Sequence, residues 1–158
     1  MANIKERTLM LLKPDALKRG YLGEIIVRFE RKGLKIVGLK MAMPSETVWD
    51  EHYKHHKDKP FFGKLKGFMS SGPLVALVLE GLEAIKVVRS MAGSTSGMEA
   101  LPGTIRGDFS ISDQANIIHA SGNADEANEE IFRFFNESEL FEYQKPEFEW
   151  IYSEEERE

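Results

Sequence analysis

The sequence predicts an α/β protein of the α+β sandwich kind: a ferredoxin-like, four-stranded antiparallel sheet covered by helices, in a single domain. Four short apolar runs alternate with helically periodic segments in the order β-α-β-α-β-α-β. The third run, Leu74-Val75-Ala76-Leu77-Val78-Leu79-Glu80, is apolar at successive positions, as befits a strand covered on both faces. At 158 residues, 42% of them hydrophobic and 30% charged, the chain can fill one core but not two ordinary ones. No repeat, low-complexity stretch or linker divides it. Residues 1–158 therefore read as one domain, with a core over about 7–142 and a C-terminal tail over 143–158.

Thr8 to Leu12 is the first apolar run, stopped by Lys13-Pro14-Asp15. Gly23 to Lys32 places Ile25, Ile26 and Phe29 at helical spacing, and Gly33 ends that helix. Leu34 to Met43 is the second strand, closed by Pro44, and Ser45 opens a helix carrying Val48 and Trp49 through Glu51-His52-Tyr53. A further helical turn or two falls within Phe61 to Ser70. After the third strand, Gly81 to Met91 reads as a helix with Ile85 and Val88 as its buried stripe. Gly93 to Asp108 has four glycines, a proline and no periodicity, and a loop of that length in a small domain is usually functional. Ile117-Ile118 is the fourth strand, and Asn123-Ala124-Asp125-Glu126 has capping-box spacing ahead of a helix through Ile131, Phe132 and Phe135. From Glu139 an aromatic tail (Phe141, Tyr143, Phe148, Trp150, Tyr152) is expected to wrap the body or a neighbouring subunit.

Composition removes several classes of function. There is no cysteine, so disulfides and thiolate metal sites are excluded. No apolar run is long enough to span a membrane, and the start, Met1 to Thr8, lacks the apolar core of a signal peptide, so a cytoplasmic protein is expected. A net charge of −5 argues against a dedicated nucleic-acid binder, whose footprint is a basic face. The acidic end, Ser153 to Glu158, reads as a solvated terminus.

The chemistry centres on His119, within Asn116-Ile117-Ile118-His119-Ala120-Ser121, with Glu130 eleven residues on. This places an imidazole at a strand end, a hydroxyl two residues later and a carboxylate on the next helix. Histidine titrates nearest neutrality, so its free base can attack an electrophile, and a carboxylate can orient the ring and steady the cation formed. A lone histidine at a strand end is ordinarily just a satisfied polar group; the rest of the sequence argues otherwise. Lys13 with Asp15, Tyr53, Arg89, Thr95 and Arg106 offer cations and hydroxyls that would suit a polyphosphate. The phosphate loop of Walker-type ATPases is absent, as are the His-Arg-Asp and Asp-Phe-Gly motifs of protein kinases.

These residues, taken with their neighbours, resemble the nucleoside diphosphate kinase family from about Arg7 to Glu142. The resemblance is carried by Glu6-Arg7-Thr8 leading to Lys13-Pro14-Asp15, by Arg19-Gly20 with Gly23-Glu24-Ile25-Ile26, and by His52-Tyr53 with Lys59-Pro60-Phe61-Phe62. It continues in Ser71-Gly72-Pro73, in Pro102-Gly103-Thr104-Ile105-Arg106-Gly107-Asp108-Phe109 and in the His119 segment. It implies ping-pong transfer of a γ-phosphate from a nucleoside triphosphate to a nucleoside diphosphate. His119 would be the nucleophile, through Nδ1 in the family, and Glu130, helped by Ser121, would fix the ring. Lys13, Tyr53, Arg89, Thr95, Arg106 and Asn116 would contact phosphates or sugar. Mg²⁺ would arrive on the nucleotide phosphates, with no metal ligand on the protein. Phosphoryl transfer asks mainly for in-line placement and charge stabilisation, which such a set supplies. Phe61 and Leu65 match positions against which the base stacks, which would give low discrimination among bases. Phe61 could equally pack the core, a task that Phe62 next door can take.

The chain departs from the family pattern at three places. Ser121 is followed by Gly122-Asn123 where Ser-Asp-Ser is common, Gly97 stands where a proline is usual, and His55 replaces a frequent acidic residue. Asn123 is expected to serve as the helix cap. The resemblance also implies a homo-oligomer, a hexamer in preference to a tetramer because the tail is extended. The alternatives are a non-catalytic nucleotide-binding domain, favoured only by Gly97 and Gly122, and an RNA-recognition domain, which would need a basic, aromatic-rich strand. The Arg-His-Gly motif of histidine phosphatases does not occur.

Overall fold

The computed structural model describes residues 4–157; Met1 to Asn3 and Glu158 of the acidic end lie outside it. Strands β1 (Glu6–Leu12), β2 (Lys35–Ala42), β3 (Leu74–Gly81) and β4 (Ile118–Ala120) form one antiparallel sheet in the order β2-β3-β1-β4. This is the ferredoxin-like arrangement that the alternating elements predict. Because side chains alternate along a strand, the sheet separates two apolar layers. Met10, Leu12, Leu77 and Leu79 face Ile25 and Phe29 of α2 (Leu22–Lys32) and Ala84 and Val88 of α5 (Ala84–Ala92). Leu9, Leu11, Ala76 and Val78 face Trp49 of α3 (Glu46–His52), Met69 of α4 (Phe62–Met69), and Ile131 and Phe134 of α7 (Ala124–Phe134). β3 is apolar from Leu74 to Leu79 because both of its faces are covered.

Several boundaries differ from the sequence reading. Pro14, which stops β1, also supplies the first turn of α1 (Pro14–Lys18), since a proline costs no hydrogen bond there. Within the stretch 93–108, a second short helix, α6 (Ile105–Phe109), is nucleated by the Thr104 hydroxyl accepting from Gly107 N–H. β3 runs on to Gly81, so α5 starts late and its buried stripe is Ala84, Val88 and Ala92, with Ile85 only half-buried. α7 ends at Phe134, leaving Phe132 exposed and Phe135 buried beyond the helix. α2 ends as expected, on Gly33 in the left-handed region at φ 100°.

The C-terminal segment lies on this chain's own body. Phe141 N–H donates to Val37 O (2.8 Å) and the Tyr143 hydroxyl to Ile36 O (2.7 Å), beside the irregularity between Ile36 and Gly38 in β2. The two short helices α8 (Phe148–Ile151) and α9 (Glu154–Arg157) follow, and the Tyr152 hydroxyl accepts from Leu82 N–H. Trp150 and Phe141 remain exposed.

Candidate active site

In the β4 register His119 stands opposite Leu11, which puts its ring on the sheet face covered by α3 and α7. It lies inside the strand rather than just after it. α7 brings Glu130 to it: His119 Nε2 and Glu130 Oε2 are 2.5 Å apart, with Glu130 buried and His119 partly open. The nitrogen left for chemistry is therefore Nδ1. Burial by itself would raise the Glu130 carboxyl, but the hydrogen bond and charge of His119, the Ser121 hydroxyl and Arg133 together hold it below the usual range. Ser121 is fully buried, and among the described residues neither Ser121 Oγ nor Glu130 Oε1 has a hydrogen-bond partner. The ring of His52, from the end of α3, meets His119 edge-on with centroids 4.8 Å apart.

The strand enters the site through a strained turn. Ile117 has φ 61°, rare for a β-branched residue, and Ile118 N–H returns to Asn116 O at 2.8 Å in a γ-turn. Such a conformation costs about 1–3 kcal/mol and persists only when its surroundings hold it. Arg106, reaching in from α6, does so from both sides. Its Nη2 donates to Ile118 O (2.7 Å), Nε to Asn116 O (3.3 Å) and Nη1 to Gly93 O (3.1 Å). The Asp15 carboxylate accepts Ile117 N–H (3.0 Å), and Lys13 N–H donates to Ile117 O (2.8 Å). Lys13 Nζ in turn donates to Asn116 Oδ1 (2.7 Å), whose amide donates to Thr95 O and Asp113 O.

Electrostatics follows from this crowding. Burial, then the Arg106 charge, lowers Lys13 to about 8 against the opposing pull of Asp15. Burial and Arg89 lower Arg106 to about 10, still charged at neutral pH. Burial and then the Glu130 charge raise Tyr53, so its hydroxyl stays a donor.

These groups line a cleft of about 690 Å³. Lys13, Tyr53, Arg89, Arg106, Asn116 and His119 face it, as do Thr95, Phe61 and Leu65 towards the mouth. Glu130 and Ser121 do not line it and stand behind His119. Phe61 is 39% exposed while Phe62 packs on the core, so Phe61 is not a core residue. The sequence reading did not single out His56, Lys64 or Phe68 in the α3–α4 wall, or Ser112 to Gln114 opposite them. It also missed His52 and Arg133 behind the cleft. The spacing of Arg133, three residues after Glu130 and so on the same helix face, is the one signal that could have pointed to it.

The three departures have structural consequences. Asn123 Oδ1 accepts Glu126 N–H (3.0 Å), so it caps α7, while the Glu126 carboxylate accepts Gly122 N–H (2.9 Å). At Gly97, whose N–H donates to Ser112 O, a Cβ would stand 2.6 Å from Ser110 O. His55 is exposed, its ring 4.0 Å from that of His56.

The ligand atoms of His52, His119 and Glu130 lie within 4.8 Å of one another, a spacing open to a divalent ion. However, Arg133 Nη1 stands 3.0 Å from His52 Nδ1 and would repel one. Asp113 is the one carboxylate among the described residues lining the cleft, against Lys13, Lys64, Arg89 and Arg106. That lining suits an anionic ligand carrying its own cation better than a resident metal.

Comparison with known proteins gives a consistent result. Residues 6–140 match the family model described as nucleoside diphosphate kinase. The chain is 48% identical over 149 residues to the nucleoside diphosphate kinase of Archaeoglobus fulgidus, covering 94% of this chain and 99% of that protein. Among solved structures, a nucleoside diphosphate kinase family protein from Babesia bovis superposes with a TM-score of 0.91 at 45% identity, over 93% of this chain and 99% of that one. The halophilic nucleoside diphosphate kinase of Halobacterium salinarum, in complex with CDP, also gives 0.91, at 43% identity over 94% of this chain and 99% of that one.

Proposed function

The chain belongs to the nucleoside diphosphate kinase family, and we propose that His119 is the residue on which its phosphohistidine forms. It is a phosphotransferase that moves the γ-phosphate of a nucleoside triphosphate to a nucleoside diphosphate in two half-reactions. The observation that carries the assignment is the His119–Glu130 pair, which occupies Nε2 and leaves Nδ1 as the free nucleophile beside the cleft.

In the first half-reaction the Nδ1 lone pair forms a bond to the γ-phosphorus. The bond from that phosphorus to the β–γ bridging oxygen breaks, and its electron pair leaves with the diphosphate. The proton on Nε2 stays in the hydrogen bond to Glu130, whose carboxylate balances the charge growing on the ring. A second nucleoside diphosphate then reverses these steps. Lys13, Arg89 and Arg106 neutralise the oxygens of the transferring group, Tyr53 and Thr95 supply hydroxyls, and Asn116 addresses the sugar. Mg²⁺ accompanies the polyphosphate and spreads its charge. Phe61 and Leu65 hold the base by its face, which predicts acceptance of several bases.

The same reading takes residues 1–158 as one catalytic domain in a cytoplasmic protein; among the described residues no helix is long and apolar enough to cross a membrane. It also assembles the chain into a homo-oligomer, a hexamer rather than a tetramer. Exposed apolar side chains support assembly: Leu39, Met41 and Met43 at and just past the edge strand β2, and Met98, Leu101 and Ile111 later in the chain. Light scattering that returns the mass of a tetramer, or of a single chain, would overturn that part.

The direct test is incubation with Mg²⁺ and γ-labelled ATP, followed by a chase with GDP. Label on His119, stable to base, labile to acid and passing to GDP, is the expected result. Folded protein that binds nucleotide but takes no label would instead favour the non-catalytic alternative.

A further inference from the structure

Two histidines converge on one oxygen of Glu130. His119 Nε2 is 2.5 Å from Oε2, and His52 Nδ1 is 3.5 Å from the same atom. His52 is buried, and burial first, then the charges of His119 and Arg133, lowers it to about 2, so the ring is neutral. A neutral imidazole has one N–H and one lone pair, and its surroundings choose which nitrogen carries the proton. With the proton on Nδ1, His52 would compete with His119 for Oε2.

Arg133 removes that choice. Its Nη1 stands 3.0 Å from His52 Nδ1, and a guanidinium can only donate. Nδ1 must therefore hold the lone pair, and the proton sits on Nε2. The guanidinium is itself an anomaly: its side chain is 7% exposed, and Glu51 and Glu129 stand off at 3.8 Å. Among the described residues, the contact with His52 is its one hydrogen bond of normal length. Burying an arginine carries a desolvation cost that ion pairs at this distance do little to offset.

We propose that Arg133 is a positioning residue: by fixing the tautomer of His52, it reserves Glu130 Oε2 for His119. The inference rests on His119 being the nucleophile. Neither Arg133 nor His52 lines the cleft, so the effect falls on the orientation of the attacking ring and leaves nucleotide binding alone. Losing Arg133 lets His52 move its proton to Nδ1 and share Oε2, and the His119 ring loses its anchor. The rate of phosphohistidine formation then falls about tenfold, the lower end of what removing a partner behind a functional histidine costs.

The test uses Arg133→Leu, Arg133→Lys and the double variant Arg133→Leu/His52→Phe. They are followed by single-turnover labelling, by steady-state kcat and KM, and by ¹⁵N NMR of the imidazole nitrogens. In the wild type, His52 Nδ1 should be unprotonated. R133L should move the proton to Nδ1 and lower kcat with KM changed less than about twofold, and R133K, which keeps a donor, should stay nearer wild type. Replacing the competing ring by phenylalanine should then restore most of the rate, which no simple loss of packing would allow. A proton on Nδ1 in the wild type, or an R133L defect that His52→Phe does not relieve, overturns the proposal. If the wild type puts no label on His119, the nucleophile reading falls and takes this one with it. Normal labelling with an unchanged R133L rate sinks the Arg133 proposal alone.

Discussion

At the floor of the cleft, three of the groups assigned to chemistry are held by other parts of the chain: His119 by Glu130, Lys13 by Asn116, and Arg106 by three backbone carbonyls. At the mouth, Phe61 is more than a third exposed, Leu65 is half-buried, and Lys64 is exposed. On the proposed reading the floor must hold atoms in line for bond exchange, and His119, Lys13 and Arg106 are braced there by buried polar partners. On the same reading the mouth only has to accept a flat ring, and side chains free to adjust serve that purpose. Substitutions at the floor should therefore act on kcat, and those at the mouth on KM.

The sharpest division comes from His119→Ala. It should lower turnover by at least about 10⁴-fold, as loss of a nucleophile does, while the affinity for a fluorescent nucleoside diphosphate changes little. Affinity falling in step with turnover would mean that floor and mouth are not separable. Glu130→Gln comes next, at about 100-fold in kcat with KM nearly constant. The same variant has a signature in stability. The Glu130 carboxyl is depressed in the folded state, so its contribution is present above the unfolded value near 4.5 and is lost as pH falls through the folded one. Wild-type protein should thus lose stability on acidification below about pH 4.5 more steeply than E130Q, measured by urea denaturation across that range.

The same contrast separates what the sequence shows from what it hides. The β-α alternation and the two-sided burial of β3 are legible because periodicity is a local property. α1 and α6 escape it, being five residues each and set by Pro14 and by the Thr104 cap rather than by an apolar stripe. The mouth is legible as an aromatic residue beside an apolar one. At the floor, the residue types are visible but their partners are not. Arg106 reads as a phosphate ligand, and nothing in its spacing reveals that two of its N–H groups brace the strained Ile117 turn while a third holds Gly93 O. His52 and Arg133 hide for a related reason: they act through contacts between α3 and α7, distant in sequence and buried where apolar residues are expected.

At the mouth, Phe61→Ala should raise KM about fivefold, the low end of what one base–aromatic stack is worth, with kcat within about twofold. The rise should be alike for all four common diphosphates, because a π-face is shared among bases. A loss confined to one base would show that the opposite wall, Ser112 to Gln114, reads base edges.

The smallest effect probes the floor without changing a residue. Burial and Arg106 hold Lys13 at about 8 in the free enzyme, so about half of its charge is gone at pH 8. A polyphosphate placed against Nζ favours the charged form, so binding must draw a proton from solvent. Affinity for a nucleoside diphosphate should fall about twofold from pH 7 to pH 8, with uptake of roughly half a proton at pH 8. Calorimetry in buffers of different ionisation enthalpy measures that number directly, and Lys13→Arg, charged throughout this range, should abolish the uptake. Proton uptake unchanged in K13R would assign the titration to another group and leave Lys13 fully charged before the nucleotide arrives.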